Sequence, residues 1–256
     1  MRAIDRFRLD GQVAVVTGGG GGLGAAGALA LAEAGADIAL IARNRMKLEA
    51  AAAAIEQAGR RALIVEADVS DEASINGAAD AVKAAFGRTD ILFNNAGITN
   101  PQPLMEIAVD DFRRLLDTNV TGAFLTIRAF APMMTAASYG RVVNMGSILS
   151  ARGMANRAAY SASKAALANL GRAAAFEFGG NGITVNTLGA TVIVTDLNRE
   201  LVRTQPQLYD AIVRRTALGR LGEIDDLMGA LLFLASPAAN FVTGQLLFVD
   251  GGYTAG

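Results

Sequence analysis

The segment Thr17-Gly18-Gly19-Gly20-Gly21-Gly22-Leu23-Gly24 constrains this chain more than any other. The apolar run Val13–Val16 precedes it, and the alanine-rich stretch Leu23–Ala34 follows, closed by Gly35. A buried strand, a glycine loop and a helix in that order make the first half of a βαβ unit. Glycine lets the backbone approach a ligand closely. The helix N-terminus adds unpaired N–H groups and the positive end of a dipole, so the junction suits a phosphate. The spacing Thr-Gly-x-x-x-Gly-x-Gly differs from the dinucleotide fingerprint Gly-x-Gly-x-x-Gly but performs the same physical task. The bland alternative is a flexible loop, and the flanking strand and helix argue against it.

The alternation continues along the chain. Strands are expected at Val13–Val16, Ile38–Ile41, Ala62–Glu66, Ile91–Phe93, Arg141–Met145, Ile183–Thr187 and Leu246–Val249. Helices are expected at Leu23–Ala34, Met46–Ala58, Glu72–Phe86, Ala108–Thr135, Ala158–Phe178 and Ile224–Ala235. Asp71-Glu72 and Asp110-Asp111 read as helix starts. Strict alternation of this kind predicts an α/β fold with a parallel sheet, and no linker or repeat divides residues 1–256, so one domain is expected. Ligands of such sheets lie beyond the carboxyl ends of the strands. Those ends carry Thr17–Gly24, Arg43-Asn44, Asp68-Val69, Asn94–Gly97, Gly146-Ser147 and Gly189–Thr195.

The 256 residues contain no Cys and no His, which removes disulfides, thiol nucleophiles, Cys/His zinc sites and the Ser-His-Asp triad; no metal site is expected. Acid–base work falls to Tyr, Lys, Asp or Glu. Tyr160-Ser161-Ala162-Ser163-Lys164 supplies a tyrosine and a lysine one helical turn apart. A nearby ammonium is expected to lower a phenol pKa that starts near ~10. The net charge of −1 carries no basic stripe, so nucleic acid is not an expected partner. The charged opening Met1-Arg2-Ala3-Ile4-Asp5-Arg6 has no apolar signal core, and no uninterrupted apolar run approaches membrane-spanning length. A cytoplasmic location is expected.

With these motifs in hand, the chain resembles the short-chain dehydrogenase/reductase family, in its single-domain branch, from Leu9-Asp10-Gly11 to Val249-Asp250-Gly251-Gly252. The resemblance rests on the glycine loop, Asp68-Val69, Asn94-Asn95-Ala96-Gly97, Asn119, Ser147 and Tyr160/Lys164, in order and at family spacing. It implies a Rossmann-like, doubly wound, seven-stranded parallel sheet with helices on both faces. It also implies a hydride-transferring oxidoreductase that interconverts a carbonyl and an alcohol. Tyr160 would be the general acid or base, and Lys164 would tune it and hold the nicotinamide ribose. Ser147 would bind the substrate oxygen, with Ser150 as the nearby competitor. Asn119 would hold a water linked to Lys164, unless it is a polar helix-surface residue. Gly18, Gly20, Gly21, Gly22, Leu23 and Gly24 would cradle the cofactor phosphates. Asp68 and Val69 would meet the adenine, unless Asp68 merely caps a helix, and Asn95, Ala96 and Gly97 would line the ribose.

The second strand ends Ala42-Arg43-Asn44, where NAD enzymes usually carry an acid. A guanidinium suits a 2′-phosphate, so NADP(H) is expected over NAD(H), even though Gly21 brings no basic residue to the loop. Ala190-Thr191 stand where the family usually has Pro-Gly. Val192, Ile193 and Thr195 resemble the segment that contacts the carboxamide, and residues 190–216 resemble a substrate lid. Thr99, Leu149, Arg152, Ala155, Thr191 and Leu197 are the substrate-lining candidates, for a small carbonyl or alcohol, a sugar acid or a ketoacyl group. Relatives imply a homotetramer, or a homodimer, built on the two long helices and the segment Leu246–Gly256. A non-catalytic nucleotide-binding protein and an epimerase or dehydratase are the alternatives.

Overall fold

In the computed structural model, residues 2–196 and 198–256 are described. The strands are β1 (Val13–Thr17), β2 (Asp37–Ala42), β3 (Ala62–Glu66), β4 (Ile91–Asn94), β5 (Gly140–Met145), β6 (Ile183–Ala190), β7 (Ile193–Val194), β8 (Gly222–Glu223) and β9 (Leu246–Val249). The helices are α1 (Gly22–Glu33), α2 (Arg45–Gln57), α3 (Glu72–Phe86), α4 (Val109–Leu116), α5 (Gly122–Ala137), α6 (Ala158–Phe178), α7 (Arg199–Thr204), α8 (Asp210–Arg215) and α9 (Ile224–Ala235). Seven strands form one sheet in the order β3-β2-β1-β4-β5-β6-β9, and each neighbouring pair is parallel. The chain winds outward from β1 to β3 and then returns to place β4 on the other side of β1. The carboxyl ends of β1 and β4 therefore border the crevice at which an open α/β sheet binds its ligand.

The two sheet faces follow from side-chain alternation along each strand. Ala14 and Val16 of β1 pack with Leu31 of α1, Leu48 of α2 and Leu231 of α9 on one face. Val13 and Val15 pack with Val82 of α3, Phe130 of α5 and Ala174 of α6 on the other. Burying each large side chain of this kind stabilises the fold by roughly 1.5–3 kcal/mol. Asp71 caps α3 by accepting the Ser74 N–H at 3.1 Å, and Gly87 ends it in the left-handed conformation, so both ends of that helix follow directly from the sequence.

Three features differ from expectation. The long helix Ala108–Thr135 is a continuous run over Val109–Ala137, but a π turn at Asp117–Thr121 separates α4 from α5. The run is long and apolar enough to cross a membrane by length and composition. Leu125, Ile127, Phe130 and Met134 nevertheless bury it against the sheet, which marks a core helix. Strand β6 extends three residues further than expected, through Ala190, which stays in register with Val249. Alanine keeps the N–H that proline would remove, so the strand continues where the family pattern would break it. Finally, β7 and β8 pair in a two-stranded ladder that closes the base of the segment carrying α7 and α8. Neither of these short helices buries a residue fully, so they left little apolar periodicity to read.

The glycine loop is packed as tightly as its sequence implies. A Cβ at Gly24 would lie 2.2 Å from the Gly18 carbonyl oxygen and 2.6 Å from Asn95 Nδ2, whereas one at Gly21 would meet nothing within 4 Å. Gly24→Ala is therefore expected to cost about 1–3 kcal/mol and lower Tm by roughly 3–10 °C. Gly21→Ala should leave Tm unchanged; thermal denaturation of both variants checks the contrast.

Candidate active site

The site begins where β1 meets β4. Thr17 Oγ1 accepts the N–H groups of Asn95 and Ala96, both at 3.1 Å. Asn95 Nδ2 donates back to the carbonyls of Thr17 at 3.2 Å and Gly18 at 3.4 Å. The turn needs Gly18 in the left-handed region, at φ +65°, because a side chain there would strike Asn95 and Ala96. This clasp holds the glycine loop against the adjoining strand. No side chain caps the N-terminus of α1, and Gly21 and Gly22 face open space. The first N–H groups of α1 are thus presented to a ligand at the positive end of the helix dipole.

A cleft of about 240 Å³ opens on one side of the loop, over the ends of β1 to β4, and is lined by Gly18, Ala42, Arg43, Asn44, Asp68, Val69, Ala96 and Gly97. Asp68 Oδ1 accepts from Ser70 N at 2.9 Å and Ser70 Oγ at 2.7 Å, and Asp68 Oδ2 lies 3.6 Å from Arg43 Nη1. The Ser70 hydrogen bonds, helped by the Arg43 charge, hold the Asp68 carboxyl below its usual pKa. Asn44 Oδ1 caps α2 through Lys47 N at 3.0 Å, so part of its polar capacity serves the fold. Gly20 backs onto the Lys47 side chain rather than either cleft.

A second cleft of about 240 Å³ joins Leu23, Asn95, Gly97 and Thr99 to Ser147, Tyr160, Lys164, Thr191, Ile193 and Thr195. Ser147 lies two residues beyond β5 and caps a single 3-10 turn, with its Oγ accepting Leu149 N at 3.1 Å. Ser150 supports it by accepting Ser147 N at 3.2 Å and does not line the cleft, which favours Ser147 over its competitor. Tyr160 and Lys164 lie on the first turns of α6. Lys164 Nζ donates to the Met145 carbonyl at 2.7 Å and sits 5.5 Å from the centre of the Tyr160 ring. Asn119 is buried in the π turn. Its Oδ1 accepts Ile98 N at 2.8 Å, while its Nδ2 donates to Ile98 O at 2.9 Å and Ser163 Oγ at 3.1 Å. A Cβ on Gly97 would lie 3.2 Å from Asn119 Oδ1 and 3.6 Å from Lys164 Nζ, so the missing side chain lets these groups face one another.

The electrostatics correct one expectation. Burial pushes the Tyr160 phenol above its usual pKa; the Arg157 charge and the Ser147 hydroxyl oppose that push without overcoming it. Burial also lowers Lys164 from 10.5 to about 8. In the protein alone, desolvation outweighs the pairing anticipated from the i, i+4 spacing.

The substrate candidates divide. Thr99 and Thr191 line the catalytic cleft. Leu149 instead packs with Ile148 and Tyr253, Arg152 Nη2 donates to Thr254 O at 2.5 Å, and Ala155 is exposed away from the lining. Leu197 lies outside the described residues. Val192 is occupied in the fold, its carbonyl accepting Gly222 N at 3.2 Å. Gly146 joins the lining as its strand-end cluster with Ser147 implied, while Ile98 and Met145 join it without having been anticipated, because loop and strand-end residues of no special chemistry leave no sequence signal. Arg157, which donates from Nη1 to Thr99 Oγ1 at 3.0 Å, was also missed, although its place three residues before Tyr160 puts it on the same helix face.

The lowered Lys164 pKa has a consequence for stability. Unfolded chains bind more protons than folded ones between about pH 8 and the ordinary lysine value, so stability should rise with pH through that window. Below it the burial penalty is fully present. Lys164→Met removes the penalty and should stabilise the protein by roughly 1–3 kcal/mol at pH 7, with a flatter rise above pH 8. Urea denaturation across pH measures both effects.

Comparison with known proteins agrees with this geometry. The family model described as Enoyl-(Acyl carrier protein) reductase matches residues 18–254. The D-threitol dehydrogenase of Mycolicibacterium smegmatis is 40% identical over 250 residues, covering 97% of this chain and 95% of that protein. The cis-4-hydroxycyclohexanecarboxylate dehydrogenase of Sinomonas cyclohexanicum is 42% identical over 245 residues, covering 95% and 97%. The crystal structure of a gluconate 5-dehydrogenase from Burkholderia cenocepacia J2315 in complex with NADP and tartrate superposes with TM-score 0.94 at 40% identity, covering 100% of both chains. Near-complete coverage by the family model and by these dehydrogenases, on the same seven-stranded sheet, places this chain in the short-chain dehydrogenase/reductase family of oxidoreductases.

Proposed function

We propose that the protein is an NADP(H)-dependent dehydrogenase interconverting an alcohol and a ketone on a small polyhydroxylated substrate, a sugar alcohol or sugar acid. The observation that carries this reading is one cleft that holds Ser147, Tyr160 and Lys164 and is continuous with Leu23 at the start of α1. The names of the threitol and gluconate dehydrogenases support the substrate class, and the NADP in the gluconate 5-dehydrogenase supports the cofactor.

The residues present fit a dinucleotide. The uncapped N-terminus of α1 and the open faces of Gly21 and Gly22 form a backbone cradle for phosphate. Gly18 and Gly24 allow the tight turn behind it. Asp68, Val69, Asn95, Ala96 and Gly97 would hold the adenosine side. Arg43, exposed at the mouth of that cleft, would take the 2′-phosphate. Ile193 and Thr195, which line the cleft, would hold the carboxamide, whereas Val192 is engaged by Gly222. When bound, the nicotinamide would supply the hydride chemistry.

Tyr160 gives its proton to the substrate oxygen in reduction and receives it in oxidation. The Lys164 ammonium favours the phenolate as the proton leaves, and Ser147 stabilises the negative oxygen as it develops. Asn119, tied to Ser163 and to the Ile98 backbone, would hold the water through which protons pass by way of Lys164. Ser163 Oγ in turn donates to Tyr160 O at 2.8 Å, which locks the helix turn that aims the tyrosine. Residues 190–216, closed at the base by the β7–β8 ladder, act as the substrate lid of the single domain. The exposed Phe124 of α5 and Phe176 of α6 support a homotetramer assembled through these helices.

Oxidation of threitol, galactitol and gluconate with NADP⁺ and with NAD⁺ tests the reading; no turnover of any polyol or sugar acid with either cofactor overturns it. Tyr160→Phe should lower kcat by about 10²–10⁴-fold and leave NADPH affinity within roughly threefold. Activity within tenfold of the parent would remove Tyr160 from the acid–base role. Arg43→Ala should raise the KM for NADPH by about 10- to 100-fold, the range of a charged hydrogen bond. Its KM for NADH should barely change, so comparison of the two cofactors gives the answer.

A further inference from the structure

Two loops meet beside the catalytic cleft, residues 98–103 after β4 and residues 151–157 leading into α6. They are clasped twice, by Gln102 N donating to Asn156 O at 3.1 Å and by Arg157 Nη1 donating to Thr99 Oγ1 at 3.0 Å. Thr99 lines the cleft together with Ser147, Tyr160 and Lys164. Arg157 is half-buried and, among the described residues, has no carboxylate within ion-pair distance. No Asp or Glu lines the cleft either. A guanidinium carries five N–H donors, and among the described residues the Thr99 bond is the hydrogen bond its side chain makes. Most arginines around the molecule are treated differently: Arg88, Arg203 and Arg220, for example, each grip a carboxylate with two nitrogens.

A guanidinium without a carboxylate partner, hydrogen-bonded to the cleft-lining Thr99 beside a cleft that contains a second cation and no anion, is a receptor for negative charge. We infer that Arg157 selects an anionic substrate, its unused N–H groups taking the carboxylate of a polyhydroxy acid whose reacting carbon lies at Tyr160. This rests on the dehydrogenase reading above and narrows it to carboxylate-bearing polyols. The position fits the geometry, since Arg157 precedes the first turn of α6 and Tyr160 follows three residues later on the same face. The Arg157 charge also reaches the Tyr160 hydroxyl, where it opposes the upward push of burial. The planar fork suits a carboxylate through two parallel hydrogen bonds, which a lysine could not reproduce. The competing role is mechanical: Arg157 holds Thr99 and thereby the loop.

The test compares gluconate with glucitol and threonate with threitol, pairs that share a carbon chain and differ at a terminal carboxylate. The wild-type enzyme should favour the acid of at least one pair. Arg157→Gln should lower the acid-to-neutral ratio of kcat/KM by about 10- to 100-fold. Arg157→Lys should restore it in part, and Thr99→Val, which breaks the clasp and keeps the charge, should preserve it. An equal loss on both members of a pair in Arg157→Gln, or the same loss of ratio in Thr99→Val, overturns the inference in favour of the clasp. Turnover of the neutral polyols without any preference for the acids overturns the inference and leaves the dehydrogenase reading standing. If no member of either pair is turned over, and galactitol is not oxidised with either cofactor, the dehydrogenase reading fails. Calorimetric binding of threonate and gluconate to the NADP⁺-loaded protein then decides the inference separately: weaker binding in Arg157→Gln supports it, and equal or absent binding in the two proteins overturns it.

Discussion

The clasp between Thr17 and Asn95 is the contact on which the remaining site geometry depends. Four hydrogen bonds from these two residues join the end of β1 to the end of β4, at the place where the strand order reverses. Without them the glycine loop would be an unconstrained stretch of five consecutive glycines, whose conformational entropy opposes any fixed cradle. With them, Gly18 is pressed against Asn95, Gly24 against Gly18, and the N-terminus of α1 points into the crevice. One end of the same β4 segment carries Gly97 and Ile98 toward Asn119, so the clasp also sets the floor of the catalytic cleft.

Lys164 shows what the fold gives up for the site. Its ammonium is buried on the long helix with the Met145 carbonyl as its hydrogen-bond acceptor. Desolvation of a cation disfavours its charged form, which is why its pKa falls to about 8. A ligand bearing hydroxyls or negative charge beside Lys164 would offset that penalty. Tyr160 follows the same logic in the opposite sense: burial raises its pKa, and Arg157 and Ser147 oppose that rise without overcoming it. Burial, more than the Tyr-Lys spacing, sets the proton affinity of the Tyr160 hydroxyl.

The π turn at Asp117–Thr121 makes a related compromise. An extra residue in a helical turn weakens the regular hydrogen-bond ladder and is uncommon. Here it places Asn119 inward, where both ends of its amide are satisfied by Ile98 and Ser163. A regular helix over the same residues would give no reason for a buried amide at that position.

Much of this was legible in the amino-acid sequence. The seven strands of the sheet and the boundaries of α3, α6 and α9 follow from hydrophobic period, an Asp71 cap and glycine stops, because local propensity and burial agree there. Tyr160 and Lys164 announce themselves by residue type and spacing, since acid–base chemistry without His or Cys leaves few candidates, whereas Ser147 was legible through the family resemblance. The π turn, the continuation of β6 through Ala190, the β7–β8 ladder and the weakly amphipathic α7 and α8 were settled by packing partners distant in sequence. So were the placement of Leu149 in an apolar cluster, the engagement of Arg152 by the Thr254 carbonyl, and the arrival of Arg157 beside Thr99. The physical reason is common to all of them: a periodic pattern records which face of an element is buried, but which loop side chains converge on one cavity depends on the way β1 and β4 are brought together by the whole sheet.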